Sequence, residues 1–428
     1  MPVYAPLSTR RSGFLDKLIV IAPLFMLGRV HEVFPALWPL RLVLVTTLLL
    51  LLTVLFNGGL GRSRLALFWH SRTFRWFTAF LGIMFFSVFF SIFKSQSFFY
   101  TTDFILYFGI LLLALNCQIN RKEDLRFSLT GISLTLFVMI VISYTAPRDV
   151  GGQVAANWSY DPNDTALFFV MILALILPAM NYIPRFYKLC LYALALMGGG
   201  VVILTQSRGG LIACVVTLAA WGMSRGVKGV LRFFVVLGVG FALVTWTVPA
   251  DKLERFYSLF NLKEDYNLTE KHGRLDIWNN GIILFKDNWI TGTGVSTFAT
   301  AEGQINEGGK WSSAHNSFLQ VAVELGLPGL FVFMGMLFSA FRLAKPRDDT
   351  DWLGRGIRLS LVSFLAGGMF LSWGYHIVLY FVLCIAMIRE RLLALGDLAA
   401  QEAPTRERHS EPVATPFRKY RQTMSVAK

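Results

Sequence analysis

The chain has 428 residues, is 55% hydrophobic and only 15% charged, and has a mean hydropathy of +0.55. Soluble domains carry about 25% charged residues, so this composition excludes an ordinary soluble domain and identifies an integral membrane protein. The net charge of +14, from 40 Lys and Arg against 26 Asp and Glu, reports topology in such a chain rather than a nucleic-acid partner.

A span needs about 20 mostly apolar residues. In chain order the candidates are 14–30, 36–56, 74–93, 98–116, 127–146, 163–181, 186–204, 209–224, 230–248, 315–341, 357–373 and 375–388. The first, interrupted by Pro23, lacks a small-residue cleavage site and so reads as a span rather than a signal peptide. Gly367-Gly368 and Ser372-Trp373-Gly374 blur the boundary between the last two. With the N-terminus inside, 28 of the 40 Lys and Arg fall on inner segments and twelve outside, seven of those in one long loop. That is the positive-inside distribution.

The expected fold is therefore all-α and integral to the membrane, with about 12 transmembrane helices and cytoplasmic termini. Residues 1–248 carry spans one to nine, 249–314 form a large outer loop, 315–390 carry the last three spans, and 391–428 form a polar cytoplasmic tail expected to be disordered. No internal repeat is visible, which weighs against transporter folds built from inverted halves. The four cysteines, Cys117, Cys190, Cys214 and Cys384, lack C-x-x-C spacing, so neither a disulfide framework nor a zinc set is expected.

Polar residues able to do chemistry gather at two outer places. One is the turn Thr205-Gln206-Ser207-Arg208-Gly209-Gly210. Paired glycines let backbone approach a ligand closely, and an arginine fork suits phosphate oxygens. The alternative is an interfacial arginine in a tight hairpin, snorkelling to headgroups. The other place is the long loop. Its Arg274–Phe285 stretch puts Ile277, Gly281 and Leu284 on one helical stripe, either lying on the membrane or packed on the bundle. Arg274 could bind a phosphate, or be a solvated residue paired with Asp276 or Glu270.

His315 opens the tenth span, and with an ordinary pKa of about 6.5 it can accept a hydroxyl proton; the plainer reading is a helix-cap histidine. Glu324 lies in the apolar span beyond it, where an ionisable group needs a partner, and Gly326, Pro328 and Gly329 should bend that helix. Asp103 and Asp164 stand near outer span ends, able to pair with an arginine or hold a metal. No H-E-x-x-H, nucleotide loop or G-x-S-x-G occurs in a convincing context.

These residues carry a resemblance. Ser207-Arg208-Gly209-Gly210 resembles the S-R-G-G turn of the O-antigen ligase and polymerase superfamily of bacterial envelope enzymes. Asn163-Asp164 with Ala166 is similar to its N-D-x-A entry to a span. Arg274, Trp278 and Gly292-Thr293-Gly294 resemble its R…W…G-x-G loop, and His315-Asn316 with Leu319, Gly326 and Gly329 its H-N-x-x-L…G-x-x-G span. The elements come in family order over roughly residues 160–340. Trp289 stands where the family commonly has proline. The Arg29–Arg41 stretch, with Phe34-Pro35-Ala36-Leu37, is similar to members encoded with exosortase-type systems.

The resemblance implies a GT-C-like glycosyltransferase of the bacterial inner membrane that works without metal or other cofactor. Its donor would be an undecaprenyl-pyrophosphate-linked glycan, and its acceptor lipid A-core or a growing polysaccharide. Arg208 and Arg274 would bind the pyrophosphate, His315 would act on the acceptor hydroxyl, and Gly209, Gly210, Asn316, Asp164 and Glu324 would touch substrate, with the bundle around Glu324 taking the prenyl tail. Ligase, polymerase and protein O-oligosaccharyltransferase share these motifs. A flippase for the same glycolipid is the rival of another class, and it would line a central cavity with mid-span charge, which is scarce here.

Overall fold

The computed structural model describes residues 13–56, 68–69, 71–119, 125–147, 153–157, 159–247, 273–306 and 311–402. Most of the first part of the long loop, His272 and Glu270 included, lies outside them. The described residues form helices and contain no strand, only an isolated bridge between Asn157 and Tyr160.

In chain order the helices are α1 (Gly13–Met26), α2 (Leu42–Phe56), α3 (Arg72–Phe90), α4 (Lys94–Phe104), α5 (Ile110–Gln118), α6 (Leu125–Thr145) and α7 (Pro162–Ile176). Then follow α8 (Arg185–Leu204), α9 (Arg208–Met223), α10 (Gly226–Thr247), α11 (Arg274–Asp287), α12 (Phe298–Ile305), α13 (Ser317–Leu343), α14 (Trp352–Gly367) and α15 (Ile377–Glu402). A π-helical turn, Ile105–Gly109, joins α4 to α5. Among the described residues seven helical segments are long and apolar enough to cross a membrane, and Lys17–Met26 and Arg208–Met223 are shorter apolar helices. Helices also occupy the expected ninth, eleventh and twelfth spans, as α10, α14 and α15. Large apolar side chains such as Phe86, Leu196 and Phe338 face outward, as lipid-facing positions require.

Helix α7 is the centre of the bundle. Asp161 caps its first turn by accepting the Asp164 N–H, Pro162 sits at its first position, and Thr165 through Ile176 are all buried. Small residues let neighbours press onto it: a Cβ on Gly356 of α14 would lie 2.1 Å from the Leu175 carbonyl oxygen, and one on Gly367 would lie 2.4 Å from Leu167. Close approach at glycine is the usual way apolar helices associate in lipid, where burial of apolar surface supplies little net drive.

The second expected span is covered by Pro35–Phe56, long and apolar enough to cross a membrane, but it is not one α-helix: Pro35–Leu40 is 3-10, and Arg41 turns left-handed (φ 42°) before α2 begins. Two other boundaries differ from the sequence expectation. Residues 368–376 leave the helix instead of finishing the eleventh span, because Gly368 and Leu371 carbonyls are taken by Ser317. Helix α15 continues to Glu402, so the start of the segment expected to be a disordered tail is helical; the remainder lies outside the described residues.

Candidate active site

The arginine turn is built by capping. Ser207 accepts the Gly210 N–H (3.1 Å) at the start of α9 and donates its hydroxyl to Asn163 Oδ1 of α7 (2.8 Å). A Cβ on Gly210 would lie 2.3 Å from the Ala166 Cβ, and one on Gly209 2.9 Å from the Phe370 Cβ. Both glycines are buried. The close approach they permit within the chain is to α7 and to the 368–376 turn. Gln206, left-handed at φ 52°, reverses the chain so that half-buried Arg208 becomes the first residue of α9.

The long loop returns to the same end of the bundle. Helix α11 covers the predicted stripe, and it packs on the bundle: Ile277 and Gly281 are buried, with Gly281 closing on Leu319 of α13. Trp278 donates its indole N–H to the Ala314 carbonyl (3.1 Å). Arg274 stands one turn before Trp278 on the same face, so it lies at the side of α11 that abuts the residue preceding His315.

His315 is itself left-handed (φ 45°), a conformation that costs non-glycine residues roughly 1 kcal/mol or more. Its backbone N–H donates to Ser372 Oγ (2.9 Å), and its Nε2 lies 3.3 Å from Ser313 Oγ. The backbone of His315 therefore precedes α13, and its half-buried ring is outside the helix. Asn316 is the cap: its Oδ1 accepts the N–H groups of Phe318 (3.0 Å) and Leu319 (3.1 Å). That oxygen is committed to the helix end, the ordinary reason for Asn at this position.

Glu324 holds the loop. Fully buried, it accepts the backbone N–H groups of Ser296 (2.9 Å) and Phe298 (3.0 Å). The Gly294 N–H donates to its carbonyl (2.9 Å) and Thr293 N–H to that of Val323 (2.9 Å). Gly326 breaks α13 at φ 67°, and Leu327 N–H reaches the Trp289 carbonyl (2.7 Å). Gly294, at φ 104°, fits against Ser91, where a Cβ would come within 2.2 Å of Oγ. The Gly-Thr-Gly segment thus wedges between the α13 kink and the α3–α4 break. The Glu324 carboxylate is thus a two-amide clamp on this wedge.

The piece that unites these elements is the turn Gly368–His376. Trp373 donates its indole N–H to Asp164 Oδ1 (2.6 Å), Ser317 N–H donates to the Gly368 carbonyl (2.7 Å), and Ser372 accepts from His315. His376 stacks on Trp373 with centroids 3.7 Å apart. Sequence reasoning missed Ser372, Trp373 and His376; the signal available was the Gly-Gly and Ser-Trp-Gly interruption of an apolar run. Among the described residues no three His, Cys, Asp or Glu side chains gather as a metal-ligand set.

Residues 192–334 match the family model described as O-antigen ligase. The match takes in Arg208, Arg274, His315 and Glu324 and leaves out Asp164 and the 368–376 turn. No curated protein matches the chain.

Proposed function

We propose, on the premise that its 192–334 segment makes the chain a member of the O-antigen ligase superfamily, that this multi-pass membrane protein transfers a glycan from undecaprenyl pyrophosphate to an acceptor hydroxyl. The site is the end of the bundle that the charge distribution assigns to the periplasm. Arg208 and Arg274 hold the pyrophosphate, since a guanidinium stays charged and its planar fork matches phosphate oxygens. His315 takes the acceptor proton. As the acceptor oxygen bonds to sugar C1 from the opposite side, the bond from C1 to the phosphate oxygen breaks. The electron pair leaves on undecaprenyl pyrophosphate, whose charge the arginines stabilise, and C1 inverts. The acceptor is lipid A-core or another polysaccharide unit, and no metal is required.

The observation that carries this reading is the Gly368–His376 turn, which packs against the arginine turn through Phe370, bonds to Asp164 through Trp373 and to His315 through Ser372. Motifs from three separate stretches thereby share one end of the bundle, as a two-substrate transfer needs. The test is transfer by purified protein in nanodiscs, given undecaprenyl-pyrophosphate glycan and candidate acceptors with EDTA present. Elongated acceptor made by the wild type and lost in Arg208→Ala, Arg274→Ala and His315→Ala supports the transferase. Glycolipid moving between leaflets without any product would replace it with a flippase.

A further inference from the structure

A cavity of about 920 Å³ opens at the same end of the bundle, and none of Arg208, Arg274 or His315 lines it. This volume is near the upper end of the roughly 300–1,000 Å³ range of small-molecule sites. One wall is the connector between α1 and α2, which contributes Arg29, His31, Trp38 and Arg41; another is Asp103 with the π-helical turn; the third includes Ser372 and His376. The cavity therefore shares with the candidate active site only the turn that holds the His315 backbone.

Several features mark it as a built site. Arg29 (φ 46°) and Arg41 (φ 42°) bracket the connector, both left-handed, a strain that non-glycine residues keep where the surroundings over-determine it. The connector is braced from beneath: Tyr160 donates to the Leu27 carbonyl (2.6 Å), Asn157 to the Gly28 carbonyl (2.9 Å), and Glu32 joins Arg29 to the Ser159 hydroxyl (2.9 Å). The exposed Trp38 ring is oriented by its N–H on the Glu32 carbonyl (3.2 Å). His31 is only 8% exposed, and its Nδ1 has no hydrogen-bond partner. Opposite it, the interrupted helix at Ile105–Gly109 is the kind of bulge that recurs at functional sites.

The chemistry of the lining selects the ligand. Arg29, paired with Glu32, and Arg41 stand with Asp103 on its walls, so the cavity offers donors and acceptors in balance. A pyrophosphate, all acceptor and strongly negative, would meet the two carboxylates. Sugar hydroxyls, each both donor and acceptor, match such an alternation, and a flat exposed indole suits the apolar face of a sugar ring. We propose that this cavity is a saccharide subsite, formed by the α1–α2 connector and Asp103, that seats the acceptor glycan beside His315. The inference rests on the transferase reading above for the word acceptor, but not for the binding of sugar.

The test uses full-length protein in nanodiscs. Labelled wild type, Trp38→Ala, Asp103→Ala and Arg208→Ala are applied to an array of lipid-free bacterial-type oligosaccharides, with inorganic pyrophosphate titrated in parallel. Wild type and Arg208→Ala should bind a common saccharide, and Trp38→Ala and Asp103→Ala should weaken it by about tenfold or more, as loss of a ring contact or charged hydrogen bond does. In the transfer assay the same two variants should raise acceptor KM by a similar factor and leave donor KM and kcat unchanged. Saccharide bound equally by all four proteins, no saccharide bound by wild type, or, in a fifth protein carrying Arg41→Ala, pyrophosphate binding abolished would each overturn the subsite. Array binding without transfer by wild type would instead fault the transferase reading and leave the sugar site standing.

Discussion

At one end of the bundle Arg389 donates to the carbonyls of Leu343 (2.6 Å) and Lys345 (3.1 Å) and pairs with Asp351, the cap of α14. Beside it Glu390 accepts from the Ser71 hydroxyl (2.6 Å), the cap of α3, and Arg391 reaches the Ile119 carbonyl. Helix α15 is thus latched to three other segments by a half-buried Glu390 and two arginines that are almost wholly covered; Arg389 is 5% exposed at the side chain. At the other end Arg208, Arg274 and His315 are half-buried, and Arg41 is exposed on a cavity wall. There the helices are joined instead by caps, glycine contacts and the Gly368–His376 turn. Arginine donors are spent on carbonyls in the latch, whereas the arginines to which the proposal gives the pyrophosphate lie nearer the surface.

The sharpest way to break this comparison is to remove the groups at the site. Arg208→Ala and His315→Ala should each lower transfer by roughly 10²–10⁴-fold while the thermal midpoint of the detergent-solubilised protein hardly moves. A large fall in midpoint would class them with the latch. Arg389→Ala should do the reverse, destabilising the fold by about 3 kcal/mol because Asp351 loses its buried partner. Activity per folded molecule should then be retained, as measured by transfer normalised to the folded fraction.

Gly210→Ala joins the two behaviours, since its Cβ would lie 2.3 Å from Ala166. A cost of about 1–3 kcal/mol in stability should come with reduced transfer, because Arg208 shares the turn. Glu324→Gln separates a clamp from a substrate contact. Replacing one acceptor oxygen by a donor facing the Ser296 and Phe298 amides should cost roughly 1–2 kcal/mol in stability, read from the thermal midpoint, with substrate KM unaltered; a raised KM at normal stability would give Glu324 to the substrate. The smallest effect is one of pH. Burial disfavours the charged form of Asp351, but hydrogen bonds from Arg389 and the Gly354 amide, with the Arg389 charge, hold its carboxyl below the ordinary range. Stability from a depressed carboxyl is fully present above its unfolded value of about 3.9 and is lost as pH falls through the folded value. The midpoint difference between wild type and Asp351→Asn should therefore shrink below about pH 4, and a gap constant with pH would remove the ion pair from the account.

Much of the candidate site was legible because its signals are local. The caps at Ser207 and Asn316 carry a local signal that the sequence reading passed over, since it gave the cap to His315 and Asn316 to substrate. The Ile277–Gly281 stripe marked α11, and Gly326 with Pro328 marked the kink. Hydropathy alone also established an all-α membrane chain, since spacing and composition act over a few residues at a time. The clamp of Glu324 on Ser296 and Phe298, the bond of Trp373 to Asp164 209 positions away, and the cavity joining the 29–41 connector to the 372–377 turn left no such mark. Each depends on which helices pack together and at what height, and that is decided by glycine-sized contacts between α7, α9 and α14. A sequence states its helices and their caps through neighbouring residues; only packing decides which helix ends meet, and so which polar groups become a site and which become a latch.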